Sequence, residues 1–433
     1  MKRLLLLALP AILSAQNYFD IIKSIDKSPA LKSALHLKEA ASFTFEAARG
    51  KRLPTIDAYL SAAWLKDTPT VTFRIPGAPE TEAPMGTKRN FVGSLKLTYP
   101  IFTGYAISAV IDKAELEQKK AELALLDLKR NLYLEATKLA GECYTLKMRI
   151  EAEREAKKAM QKAYEKAKGL YEQGLIPPAD LYNIEAKLYA VEAQISDSKS
   201  QKDQLLNSLS YLTGKRVDSV DLSTDAFSID LDRESLIKEA LKNREDIKSL
   251  ESLLKISKSE ELLAKSSLYP TVAITAELKR RGDTLSLNGD GFTNADQSYI
   301  GALAKWNIFS GFADSNMVEA ARRKTLAASS ALSDYKRRVK IELENSFLKL
   351  NSIFSRLQSA KMELKARSAY CDLTKGRFEN QLASADELSR SIADLAEAKA
   401  KVFILEGSLF TVKATIFLMA GIESFKKGFA AKR

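Results

Sequence analysis

The sequence predicts an α+β membrane protein in which four amphipathic strands per chain join those of two further chains. Together they form a trimeric twelve-stranded β-barrel, continued by a barrel of long coiled-coil α-helices. Three observations predict it. The chain is written twice; each copy holds two period-two strands around a loop; and each copy then runs for about 70 residues without a proline.

The 433-residue chain begins with Lys2 and Arg3, an apolar run from Leu4 to Leu13, and then Ser14-Ala15. That run is too short to span a bilayer as a helix and reads as a signal peptide over 1–15, cleaved after Ala15. Beyond it no apolar run approaches the roughly 20 residues a membrane helix needs. The mature chain is therefore expected in the periplasm or in a membrane as strands. Its 67 basic and 55 acidic residues give a net charge of +12. In an exported chain this mixture describes solvated helix faces, and no nucleic-acid partner is expected. His36 is the only histidine, which excludes a His-rich metal site and a Ser-His-Asp arrangement. No glycine-rich or nucleophile signature accompanies the carboxylates, so neither enzyme chemistry nor a cofactor is expected.

Self-similarity organises the rest. Tyr99-Pro-Ile-Phe-Thr-Gly104 recurs as Trp306-Asn-Ile-Phe-Ser-Gly311, an offset of 306 − 99 = 207. Tyr171-Glu-Gln-Gly-Leu175 recurs as Phe378-Glu-Asn-Gln-Leu382 (378 − 171 = 207), and Leu212-Thr-Gly214 as Met419-Ala-Gly421 (419 − 212 = 207). A constant offset means that no insertion is tolerated, as in a coiled helix, where one extra residue turns all later side chains by about 100°. Upstream, Leu53-Pro-Thr55 matches Tyr269-Pro-Thr271 at 270 − 54 = 216. The nine extra residues of copy one mark an exposed loop.

These landmarks set the boundaries. Residues 16–53 are expected as periplasmic helices of the first copy, 54–102 as its barrel hairpin with extracellular loop 67–90, and 103–214 as a long helical hairpin. An equatorial linker is expected over 215–232 and a periplasmic helix of the second copy over 233–268. Residues 269–309 form the second barrel hairpin with loop 280–297, 310–421 the second helical hairpin, and 422–433 a C-terminal tail.

In the strands, Ile56, Ala58, Leu60, Ala62 and Trp64 alternate with Thr55, Asp57, Tyr59 and Ser61, and Phe91, Gly93, Leu95, Leu97 and Tyr99 with Val92, Ser94, Lys96 and Thr98. The second copy repeats this with Val272, Ile274, Ala276 and Leu278, and with Ile300, Ala302, Ala304, Trp306 and Ile308. Ten-residue segments with aromatics near their ends fit membrane strands around a polar lumen. Four strands cannot close a barrel, and an open edge cannot face lipid. Two chains would give a filled eight-stranded barrel, three a twelve-stranded one with room for a path. The lumen residues Asp57, Lys96, Glu277, Lys279 and Lys305 are mixed in sign and leave ion selectivity open.

The helices carry coiled-coil seams: Ala156, Met160, Ala163, Ala167 and Leu170 in copy one, and Leu350, Ile353, Leu357, Ala360 and Leu364 in copy two. Thr103 and Ser310 suit their N-termini. A helix of about 70 residues spans roughly 105 Å, matching the return helix and the pre-barrel helices stacked end to end. Cys143 lies 31 residues before Gly174 and Cys371 10 before Gln381. The difference of 21 residues is about 30 Å of height, so two free thiols are expected.

With these duplicated motifs the chain resembles the TolC family over nearly its whole mature length. The resemblance implies a homotrimer, an outer-membrane barrel in contact with lipid, a periplasmic helical barrel, and a role as exit duct of a tripartite efflux or type I secretion system. Its implied partners are a periplasmic adaptor protein and an inner-membrane transporter. The nearest alternative is a periplasmic adaptor of such a system, which would carry one helical hairpin and no membrane strands.

In that family the helix–turn–helix tips form the periplasmic entrance. Gly174 can end a helix in the left-handed conformation and Pro177-Pro178 can start the next; Ser384 with Glu387 spells a capping box. Asp180 and Glu387 occupy equivalent third positions, where a carboxylate favours a helix N-terminus. Under threefold symmetry the same acids would also ring the pore axis and attract cations. Of the two aspartates that make this constriction in the best-known relative, the first aligns with Glu387 and the second with Arg390. A Glu387–Arg390 pair is an alternative latch, within a chain or across neighbours. Asp180, Asn183, Asp386, Glu387 and Arg390 are thus the candidate gate residues. By the same analogy Gln173, Gly174, Leu175, Asn380, Gln381 and Leu382 are candidates for adaptor docking or for simple tip packing.

Overall fold

A computed structural model describes residues 16–222, 232–289 and 295–430. The expected signal peptide and its cleavage site lie outside the described residues. The chain opens with β1 (Gln16–Asn17), α1 (Tyr18–Ile25) and α2 (Pro29–Gly50), followed by β2 (Thr55–Trp64), β3 (Thr70–Phe73), β4 (Thr81–Pro84) and β5 (Arg89–Phe102). Next come α3 (Ala106–Glu172), α4 (Pro178–Thr213), β6 (Val220–Asp221), α5 (Arg233–Asn243) and α6 (Glu245–Lys265). The remainder is β7 (Thr271–Gly282), β8 (Tyr299–Lys305), α7 (Ala313–Glu379), α8 (Ala385–Met419) and α9 (Ile422–Ala430). The described chain divides into two compact units, with boundaries inside α2, α3, α6 and α7.

One unit, residues 38–121 and 250–332, holds a four-stranded antiparallel sheet in the order β2-β5-β7-β8. The register sets Ile56 opposite Leu97, Leu97 opposite Ala276, and Ala276 opposite Ile300, so the apolar sets of the four strands share one face. Among the described residues that face is largely open, with Leu60 84% and Ile300 79% exposed, and only near its loop end does Leu287 lie over Gly93. The other face carries Asp57, Lys96 and Glu277 in a single row. Within the stretch expected as loop 67–90, β3 and β4 form a separate small hairpin.

The passage from strand to helix explains the first repeated motif. Pro100 cannot donate to a ladder, and the register of β5 with β7 shifts between Pro100 and Phe102. Gly104 and Tyr105 then both take left-handed backbone, φ +59° and +72°, and Gly311 and Phe312 do the same at +63° and +67°. Such a residue costs a non-glycine about 1–2 kcal/mol. The aromatic rings offset it: Phe102 packs edge-on against Tyr105 at 5.5 Å, and Phe309 against Phe312 at 5.5 Å. At Gly104 a Cβ would also lie 2.6 Å from the Ser266 carbonyl oxygen, which leaves only glycine. The hydroxyls of Thr103 and Ser310 accept from Ile107 N–H and Asp314 N–H, satisfying a donor of each first turn.

The other unit comprises the described residues up to Leu37, with Glu122–Ser249 and Ser333 onward. The Tyr18 hydroxyl is buried 2.6 Å from that of Thr137, and its ring stands edge-on to Phe410 at 5.0 Å. Around Arg130, only 3% exposed, lie Asp127 at 2.5 Å, Asp246 at 3.0 Å and Glu245 at 3.6 Å. Arg244 and the Tyr335 hydroxyl also bind Asp246, while Glu245 accepts from Ile422 N–H at the start of α9.

This cluster alters two expectations. The stretch 233–268, read as one helix, is two: Arg244 has ψ 132° and breaks the path, its buried guanidinium held by Asp246 and by the Met419 carbonyl. The tail beyond residue 421 begins as a helix, α9. A further expectation is corrected at α8, which is long and apolar enough by composition to cross a membrane. Half of its apolar window is buried within the chain, including Val402, Leu405, Phe410 and Ile416. Both cysteines are free and buried, and burial pushes the Cys143 thiol up to about 11.

Candidate functional site

The two helix–turn–helix tips lie in the same compact unit and share one core. Ala156, Met160, Ala163, Ala167 and Leu170 of α3 meet Leu181 and Ile184 of α4, Cys371 and Phe378 of α7, and Ala385, Leu388 and Ile392 of α8. Alanine dominates the α3 stripe, so its neighbours approach closely.

Each long helix ends in the same turn. Gly174 N–H donates to Tyr171 O and Leu175 N–H to Leu170 O; Gln381 N–H donates to Phe378 O and Leu382 N–H to Arg377 O. That is a Schellman closure, with its left-handed residue at φ +71° in Gly174 and +61° in Gln381. Glycine adopts this conformation freely, whereas Gln381 does so against its Cβ. Leu175 and Leu382 remain 52% and 68% exposed. A groove of about 480 Å³ between the turns is lined by Leu175, Ile176, Gln381, Leu382, Asp180 and Glu387. It brings one docking candidate of the first copy and two of the second beside two gate candidates. Gln173 is exposed on the last turn, and Asn380, also exposed, donates to the Gly376 carbonyl at 2.8 Å.

A charged network crosses between α4 and α8 just inside the turns. Asp386 Oδ1 accepts from Asn183 Nδ2 at 2.9 Å and from Lys187 Nζ at 2.5 Å. Its other oxygen meets Arg390 Nη2 at 2.6 Å. Lys187 Nζ also donates to the Ser389 hydroxyl at 2.7 Å. The Lys187 ammonium holds the Asp386 carboxyl below the usual aspartate range, with Asn183 and Arg390 adding to the effect. Glu387 faces the other way, accepting from Arg377 Nη1 at 3.0 Å, while Arg377 Nη2 reaches the Leu382 carbonyl. Its backbone N–H donates to the Ser384 hydroxyl at 3.1 Å, the first half of the expected capping box. Asp180 stands in the first turn of α4.

Within one chain this geometry corrects one expectation. Arg390 pairs with Asp386, four residues back on its own helix face, and not with Glu387, whose side chain turns toward α7. Asp180, in the groove, stays apart from the Asn183–Asp386–Arg390 cluster. Sequence reading missed Lys187, Arg377 and Ser389. Lys187 lies 199 residues from Asp386 and Arg377 stands on the helix before Glu387, so neither pairing shows in the local sequence.

A family model described as outer membrane efflux protein matches residues 21–215 and again 236–421. Among solved structures, the outer membrane protein VceC from Vibrio cholerae is similar over 93% of this chain and 96% of its own, with a TM-score of 0.79 at 16% identity. CusC gives 0.81 at 12% identity, covering 94% of this chain and 93% of that one. The CmeC outer membrane channel of Campylobacter jejuni gives 0.71 at 16% identity, covering 96% and 87%. No curated protein sequence matches at a significant level.

Proposed function

The chain belongs to the outer membrane efflux protein family, and on that premise we propose that it is one protomer of a homotrimeric exit duct. It is an outer-membrane efflux channel protein and not an enzyme. Three copies pool their four-stranded sheets into a twelve-stranded barrel in outer-membrane lipid, and their two-copy helices extend into the periplasm. The entrance lies at the α3–α4 and α7–α8 tips, where a periplasmic adaptor and an inner-membrane transporter deliver cargo.

The observation that carries this reading is the sheet. Among the described residues its apolar face is largely exposed and its outer strands β2 and β8 have no partner strand at their far edges. Neither condition survives in lipid unless further strands complete the ring. The gate is assigned to Asp180, Asn183, Asp386, Glu387 and Arg390, with Lys187 and Arg377 as their counter-charges. Docking is assigned to the exposed turns around Leu175 and Leu382. A periplasmic adaptor would have no use for an apolar strand face of this extent.

The test is reconstitution. Protein purified in detergent should behave as a trimer and give unitary conductance in a planar bilayer. A water-soluble monomer without conductance would defeat the proposal. Asp substituted at Leu175 and Leu382 should abolish adaptor-dependent efflux while leaving that conductance in place; intact efflux would remove the docking assignment.

A further inference from the structure

The polar face of the sheet is not neutral. The register places Thr55, Asp57, Tyr59 and Ser61 of β2 opposite Thr98, Lys96, Ser94 and Val92 of β5. These in turn oppose Thr275, Glu277, Lys279 and Arg281 of β7, and Lys305 of β8 joins the same face opposite Thr271. Four cations, Lys96, Lys279, Arg281 and Lys305, stand against two acids, Asp57 and Glu277, so the strands carry 4 − 2 = +2 per chain on this face. The signs are also segregated. Asp57, Lys96 and Glu277 form one row, while the two rows nearer the loops hold only Lys279 and Arg281. Asp283 and Asp296 lie beyond the strand ends, and the Ser298 hydroxyl and N–H hold Asp296.

From this face, and resting on the barrel reading above, we propose that the outer-membrane end of the duct favours anionic solutes. Three chains place a net +6 on the wall. Twelve strands about 4.8 Å apart and tilted about 40° enclose a backbone radius of roughly 12 Å. Side chains reaching inward thus act within about one Debye length of the axis at 0.1 M salt, and low-dielectric walls focus their field. The tips supply no opposing cation filter from each chain's own charges. Asp386 is held by Lys187 and Arg390, and Glu387 by Arg377. Asp180 stands apart in the groove, and with it the three acids equal the three bases in number.

The test is the reversal potential of the reconstituted channel under a KCl gradient near 0.1 M. Chloride should be favoured over potassium about two- to fivefold, and the preference should collapse near 1 M, where screening shortens to roughly 3 Å. Lys96→Glu with Lys279→Glu changes the face by 2 × −2 = −4, from +2 to −2 per chain, and should invert the preference. Both positions are polar sites on a wetted face, and the paired glutamine changes give a milder version of the same shift. A channel that prefers potassium, or one whose selectivity ignores both substitutions, would overturn the inference and leave the duct intact. Absence of any conductance would instead defeat the duct reading itself.

Discussion

Lys187 of α4 and Asp386 of α8 are joined by a 2.5 Å ion pair that ties the first copy's return helix to the second's, next to the turns. Asp386 is the hub: it also binds Asn183 of α4 and Arg390 of its own helix. Any spreading of α8 from α4 must break two contacts to one carboxylate.

Lys187→Met should therefore loosen the tips without unfolding them. A partly exposed pair of this kind is worth up to about 1 kcal/mol, so resting open probability should rise about two- to fivefold. Arg377→Met should act in the same direction by releasing Glu387 from the Leu382 turn. Single-channel recording reads both, and closed-state occupancy equal to the parent's in both variants would remove these pairs from the gate.

The same network sets a pH dependence. The Asp386 carboxyl sits below its ordinary value because Lys187 binds its charged form. Its contribution is thus fully present above the unfolded value of about 3.9 and is lost as pH falls through the lower folded value. Conductance should be flat from about pH 5 to 8 and climb only in the acid range below about 3.9. A transition near neutrality would point to a different group.

Gln381 holds a glycine's backbone conformation. Gln381→Gly should relieve about 1 kcal/mol of strain at the α7–α8 turn. Hydrogen exchange at Leu382 N–H, which closes that turn on Arg377 O, should slow several-fold; faster exchange would contradict the strain argument.

Arg130 is buried among three carboxylates, and Glu245 also caps α9. Arg130→Met leaves those charges without their main counter-ion, which typically costs about 3–5 kcal/mol. The thermal transition should drop markedly, and α9 should become sensitive to protease first. Arg130→Lys, which keeps the charge but loses the fork, should fall between.

Much of the architecture was legible because it repeats at short range. A period of two gave the strand faces, and seam residues such as Met160 and Leu357 proved to be buried. The turn at Gly174 could be read from the residue itself. What escaped depends on rotational phase between distant segments. Lys187 and Asp386 are 199 residues apart, and nothing local distinguishes Lys187 from its many neighbours of like charge. The break at Arg244 was hidden in part for the same reason, because its guanidinium also reaches the Met419 carbonyl, 175 residues away. Glu387 and Arg390 looked like partners by spacing alone, yet Asp386 offered Arg390 a nearer oxygen.

The free margins of β2 and β8 bear on how the protein is made. A newly exported copy carries two raw ladders of N–H and C=O groups and a greasy plate between them, in a watery compartment crowded with identical copies. Out-of-register association is then as open to it as the correct ring. For the proposed trimer, safe delivery calls for an escort that shields the hairpins until the copies meet, and loss of such an escort should leave insoluble aggregates.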